Sequence, residues 1–300
     1  LAPIRDAISR FEPDIAALGN GAATDGVVVP ELVRQLRAAT GKPFGRYVHF
    51  GATSQDVIDT SLVLRLRSVC DMLARRLDAV DRSLFELGER FGARPLMGRT
   101  HMQAAIPITV ADRIDAWRAP LLRHRDRLGR ALQGLLSVQF GGSAGTLDKF
   151  GGKAAAVRAA LAEELGLADT PQWHSQRDRI AEFAGVLSLI TASLGKFGKD
   201  IALMAQAGDE LGLVGGGSSS AMPHKQNPVF AELLVTFGLF NAGQLASVHT
   251  AMVHEQERSG AAWTLEWLVL PQMSVATGAA LRIALALCGS IVRLGPAEET

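Results

Sequence analysis

Residues 56–91 read DVIDTSLVLRLRSVCDMLARRLDAVDRSLFELGERF, and the spacing of their apolar side chains decides the fold. Leu62, Leu66, Val69, Leu73, Leu77, Val80, Leu84, Leu87 and Phe91 recur at alternating steps of three and four, the stripe of an amphipathic helix and not the alternation of a strand. As one helix the stretch runs about 54 Å at 1.5 Å per residue. The same period returns in Ile180, Phe183, Leu187, Ile190, Leu194, Phe197, Ile201 and Met204, with no proline between Pro171 and Pro223. Further helices are expected from Pro107 to Leu136 with a bend at Pro120, from Asn227-Pro228 to about Glu257, and from Thr264 to Val292 with a kink at Pro271. Few stretches read as strands.

Helices of this length must bury their stripes along their whole length. The pattern therefore predicts an all-α chain built as an elongated bundle of long antiparallel helices. Val63, Leu64 and Met72 lie beside the first stripe and exceed what one partner helix covers, so oligomerisation is expected. Residues 1–50 hold shorter helical pieces and the turn-rich Gly41-Lys-Pro-Phe44. They read as a small N-terminal helical domain, with 51–294 as the bundle and 295–300 as a tail.

Composition narrows the function classes. Three hundred residues, 48% of them apolar, hold a sizeable core, and a net charge of +1 advertises neither nucleic acid nor an anionic membrane. Two distant cysteines, Cys70 and Cys288, suit a reducing cytoplasm and exclude a disulfide framework or a four-ligand zinc cluster. No charged-then-apolar leader is seen. The most apolar stretch, 279–294, is broken by Arg282 and Arg293, so no membrane span is expected.

Three segments depart from bundle chemistry. His49-Phe-Gly-Ala-Thr-Ser-Gln-Asp56 leads into the first long helix. Thr53 with Asp56 fits a capping box, and the free N–H groups beside the Thr53 and Ser54 hydroxyls make a carboxylate site. Gly98-Arg-Thr-His-Met-Gln-Ala-Ala-Ile-Pro107 is a polar turn feeding a helix, where His101 can exchange protons near neutral pH if something orients it. Gly215-Gly-Gly-Ser-Ser-Ser-Ala-Met-Pro-His-Lys-Gln-Asn-Pro228 starts as a Gly/Ser linker but ends in a specific constellation at a helix start. The chain has six lysines against twenty-five arginines, so Lys225 is a pointed choice. Glycines that permit movement, serine hydroxyls, and Lys225 with Asn227 as anion donors are the parts of a lid over a carboxylate substrate.

In these residues the sequence resembles the fumarase/aspartase superfamily. The signature form GSSxMPxKxNP reads SSSAMPHKQNP from Ser218 to Pro228, and FGATSQDVIDT and GRTHMQAAIPIT match the other two motif regions in order. Ser218 stands where the superfamily usually has glycine before its two serines. VVVPELVRQLR, VHFGATSQDVIDTSL, MPHKQNPV and AAWTLEW are most similar to the bacterial branch that lactonises carboxylated muconates in aromatic-acid breakdown. Adenylosuccinate lyases and other fumarate-releasing lyases are the competing branch, and a non-catalytic helical scaffold of the same ancestry is a third reading.

The resemblance implies a reaction β to a carboxylate through a carbanion that spreads onto that carboxylate as an aci-acid. It assigns the proton at carbon to Ser219, six residues before the signature lysine, with Ser218 and Ser220 as flanking alternatives. Lys225 and Asn227 would hold carboxylate and oxyanion, while His49, Thr53, Ser54, Thr100 and Gln103 would hold the rest of a polycarboxylate. His101 would transfer or polarise a proton, oriented by Glu232, seven residues after Lys225. It further implies a homotetramer whose sites draw on three subunits, no metal or organic cofactor, and little or no C-terminal domain after Leu294.

Overall fold

The computed structural model describes residues 2–218, 222 and 226–297, the side chains of 3 and 218 excepted. The chain is all-α. Short helices α1 (Ala2–Ser9), α2 (Ile15–Asp25) and α3 (Val29–Thr40) precede the long α4 (Ser54–Phe91). A hairpin of β1 (Pro95–Thr100) and β2 (Gln103–Thr109) leads to α5 (Val110–Leu135), then α6 (Ala154–Leu165) and α7 (Asp178–Ala207). Short strands β3 (Leu211–Leu213), β4 (Gly217–Ser218) and β5 (Gln226–Asn227) separate α7 from α8 (Val229–Ala251) and α9 (Ala261–Ser290), and β6 (Ile291–Leu294) follows. Among the described residues the strands form three two-stranded antiparallel pairs, β1 with β2, β3 with β6 and β4 with β5.

Several expectations need correcting in detail. The α4 seam passes through Val63, Leu66, Cys70, Leu73, Leu77, Val80, Leu84 and Leu87, whereas Leu62 and Val69 are only half-buried. Both registers share Leu66, Leu73, Leu77, Val80, Leu84 and Leu87, and only the packing partners choose between Leu62 and Val63 and between Val69 and Cys70. Gly98–Pro107 is not a turn feeding a helix but most of a β-hairpin. Asn227 lies in β5, and Pro228 caps α8. That helix stops at Ala251, short of Glu257, and the chain leaves it for a segment from which Arg258 reaches Thr53. Asp178–Ala207, Val229–Ala251 and Ala261–Ser290 are long and apolar enough to cross a membrane, contrary to the expectation of no such stretch. Interspersed polar and charged side chains interrupt the apolar runs in these helices without bringing the mean hydropathy below 1.4 over their most apolar stretches.

The chain forms two compact units. The first comprises residues 1–66, 136–177 and 254–259. Val29, Val33, Val48, Phe140 and Trp173 are buried there around a polar centre of Gln55, Asp56, Asp59, Gln139, His174 and Arg177.

The second unit comprises residues 67–135, 178–253 and 260–300, and α7 is its axis, in contact with α5, α8 and α9. Small residues let α8 lie close on α7. A Cβ at Gly198 would fall 2.4 Å from the Ala231 carbonyl oxygen, and one at Gly238 3.1 Å from that of Thr191. Against α5, Trp117 rests on Phe197 with ring centroids 4.9 Å apart and donates from Nε1 to Asp200 at 2.8 Å.

Candidate active-site groups

The first group is built where the chain enters α4. His49 sits at φ 59°, a left-handed conformation that L side chains rarely adopt, and Gly51 follows at φ 71°. A Cβ at Gly51 would fall 2.2 Å from the Phe150 ring, so glycine is required by close approach as well as by conformation. Arg37 holds the Val48 carbonyl from Nε and Nη2 at 3.3 and 3.2 Å. Burial lowers the pKa of His49 and the Arg37 guanidinium adds to this, while the Asp56 carboxylate pulls the other way.

Thr53 donates its N–H to Asp56 Oδ2 at 2.9 Å, the acidic half of the expected capping box. Its hydroxyl accepts a hydrogen bond from the Arg258 guanidinium. Ser54, half-buried, opens the helix. Asp56 does far more than cap. It accepts from the Gly141 and Gly142 amides, both at 2.9 Å, from Gln139 Nε2 at 3.3 Å and from His174 Nε2 at 2.8 Å. Burial opposes its charge, but the bonds from His174 and from the Thr53, Gly141 and Gly142 amides prevail and hold the carboxyl below its ordinary value. One helical turn on, Asp59 takes both Nη1 and Nη2 of the fully buried Arg177, at 2.7 and 3.2 Å. These two carboxylates tie the helix start to the 139–142 and 173–177 segments and so fix where Thr53 and Ser54 stand.

The second group is the hairpin tip. Thr100 pairs with Gln103, and the two turn residues between them, His101 and Met102, have φ of 48° and 67°. Two-residue hairpin turns of this hand favour Asn-Gly, so His-Met here stores strain in presenting the His101 imidazole. Thr100, His101 and Gln103 are exposed. Beneath them a cleft of about 670 Å³ is lined by Arg99, His101, Arg113, Lys196 and Asp200 among others.

The third group is the glycine-rich loop. Its two ends come together as β4 and β5, with Gly217 opposite Asn227 and Ser218 opposite Gln226. Asn227 is half-buried, and Glu232 is exposed in the first turn of α8. Ser219 and Lys225 lie outside the described residues, as does Ser220.

His49, Thr53 and Ser54 thus belong to one unit, and Thr100, His101, Gln103, Asn227 and Glu232 to the other. Among the described residues no hydrogen bond or ion pair joins His101 to Glu232. Sequence reasoning missed Arg258, His174, Asp59 and Arg177. The one local signal for Arg258 is the abrupt polar run His-Glu-Gln-Glu-Arg after an apolar helix. Among the described residues no three His, Cys, Asp or Glu side chains are grouped to hold a metal ion. Burial pushes the Cys70 and Cys288 thiols up to about 12, which keeps both protonated and unreactive.

The sequence pattern of the lyase family matches residues 12–242. The chain is 43% identical over 295 residues to 3-carboxy-cis,cis-muconate cycloisomerase of Pseudomonas aeruginosa, covering 96% of this chain and 64% of that enzyme. It superposes with a TM-score of 0.88 on the crystal structure of the 3-carboxy-cis,cis-muconate lactonizing enzyme of Pseudomonas putida, at 39% identity, over 97% of this chain and 66% of that one. A fumarate lyase from Mesorhizobium matches with a TM-score of 0.90 at 32% identity, over 98% of this chain and 67% of its own. The chain therefore spans somewhat under two thirds of the length of the Pseudomonas aeruginosa relative.

Proposed function

This chain belongs to the lyase family, and from that membership we propose that it is a cycloisomerase converting 3-carboxy-cis,cis-muconate to a muconolactone in aromatic-acid breakdown. The observation that carries the reading is the likeness to cycloisomerases across nearly the whole chain, all three motif regions included. In this reaction one carboxylate oxygen of the substrate adds to the carbon β to a second carboxylate. The π pair moves onto that second carboxylate as an aci-acid, and the α carbon then takes a proton. The nucleophile is part of the substrate, so the protein's work is to align it, hold the developing oxyanion and deliver the proton.

Ser219 delivers the proton, and Lys225 with Asn227 meets the charge that grows on the carboxylate. Thr53 and Ser54 donate to a substrate carboxylate at the start of α4, where Arg258 stands on the Thr53 hydroxyl and adds positive charge. His49, Thr100 and Gln103 complete the binding set, and His101, with Glu232 as its orienting partner, transfers or polarises that same proton. Because His101 and Glu232 are not joined within one chain, the partner is the Glu232 of another copy. The working form is a homotetramer with sites shared between subunits. No metal or organic cofactor enters this chemistry, and the free, buried thiols suit a cytoplasmic enzyme.

The test is direct. 3-Carboxy-cis,cis-muconate mixed with the protein should lose its conjugated-diene ultraviolet absorbance, and the lactone should appear by NMR. Adenylosuccinate should be unchanged. Turnover of adenylosuccinate in place of the muconate would refute the reading.

A further inference from the structure

A tricarboxylate poses a charge problem. Of the groups assigned so far, Lys225 and the Arg258 that stands on Thr53 alone bring a full fixed positive charge, and Thr53, Ser54, Thr100, Gln103 and Asn227 are neutral. Three carboxylates brought out of water need more compensation than that.

The cleft beneath the hairpin tip holds the missing charge. Three cations, Arg99, Arg113 and Lys196, line it against one carboxylate, Asp200. Asp200 is already engaged by Trp117 Nε1 at 2.8 Å and by the Lys196 ammonium one helical turn away. The two guanidinium groups are much less satisfied. Arg99 stands 3.9 Å from Glu210, an ion pair too long to be a hydrogen bond, and Glu210 spends its other oxygen on the Met97 amide at 3.0 Å. Arg113 makes one 3.5 Å contact with the Met97 carbonyl and, among the described residues, has no carboxylate partner. Each guanidinium carries five N–H donors in a fork that suits a carboxylate. Both line one cleft with His101, the histidine that the strained turn presents.

We propose that Arg99 and Arg113 form an anion subsite beside His101 that binds the third carboxylate of a tricarboxylate substrate and so selects it over dicarboxylates. This rests on the cycloisomerase reading for the identity of the substrate, but the subsite itself is read from its own charges. The subsite binds the ground state and the transition state alike, so its loss acts on KM and leaves kcat.

The experiment uses two inhibitors that differ only in the middle carboxylate, tricarballylate and glutarate, with Arg99→Gln and Arg113→Gln variants whose helical content is first checked by circular dichroism. Each variant should raise KM for 3-carboxy-cis,cis-muconate and Ki for tricarballylate by about tenfold or more, with kcat and the Ki of glutarate within about twofold. Equal shifts for both inhibitors, or none, would overturn the subsite. Calorimetric binding of tricarballylate is measured in parallel. If the unmodified protein fails to turn over the muconate yet binds tricarballylate through Arg113, the substrate assignment falls and the subsite stands. If it turns over the muconate and the variants match it, the subsite alone falls.

Discussion

The Thr53 hydroxyl accepts from Arg258, while Asp56 accepts the Thr53 amide, so one short motif supplies both the anchor and the proposed binding group. That division of labour is invisible in TSQD as a string, because Asp56 gains its partners from residues more than eighty positions away. At Ser219 the motif speaks for itself. Ser219→Ala should leave a folded oligomer and cut the turnover rate by about 100-fold or more, since the substitution removes a single hydroxyl that the proposed chemistry uses for proton transfer. Near-normal rates in that variant, with loss in Ser218→Ala or Ser220→Ala, would move the role to a neighbour. His124 is a buried histidine with a different consequence. It bonds Ser193 at 2.8 Å, and burial, with the Arg127 and Arg123 charges adding to it, lowers its pKa to about 4. Its contribution to stability is therefore full above the ordinary value of 6.5 and is lost as pH falls toward 4, because only the unfolded chain takes up the proton. Denaturant midpoints measured across that range should fall less steeply in His124→Gln than in the parent.

The long helices were legible as elements because a stripe over ten turns leaves one periodicity, whereas their exact seams and ends were not. Leu62 or Val63, and Val69 or Cys70, are equally good apolar choices until a partner helix selects one. The β1–β2 hairpin escaped because its turn is His-Met, a pair that no turn preference favours. Helix α7 shows how much depends on what is absent from a side chain. Gly198→Ala puts a methyl 2.4 Å from the Ala231 carbonyl and 2.8 Å from Leu234 Cβ, which should cost about 1–3 kcal/mol as α8 backs away. Gly185→Ala, on the same helix with nothing within 4 Å, should instead stabilise by up to about 1 kcal/mol through helix propensity. Thermal melts of the two variants should move in opposite directions, and parallel shifts would refute the close α7–α8 contact as the cause.

On the scale of the whole molecule the exposed apolar side chains are spread over many elements, the last two helices among them. Only 17% of the most apolar α8 window is buried within the chain, and Leu239, Leu268 and Val275 are 71%, 60% and 72% exposed. The proposed tetramer with sites shared between subunits would cover such surface and would bring His101 to the Glu232 of another copy. Mixed, dissociated and reassociated His101→Ala and Ser219→Ala subunits should regain part of the activity that each lacks alone. Full activity in a monomer by light scattering, or no recovery despite demonstrated mixing, would rule out shared sites. The amino-acid sequence alone determined the all-α class, the approximate span of every long helix and the three motif regions, because helical periodicity and motif chemistry are local properties, written in residues within a few turns of each other. Only the tertiary structure decided the register of the α4 seam, the hairpin that strains His101, the Asp56 and Asp59 anchors, the Arg258 contact and the cationic cleft. Apart from the hairpin, whose turn is local but carries residues that no turn preference favours, each of these is a meeting of residues distant along the chain, and such meetings depend on burial and close approach, which no local spacing encodes.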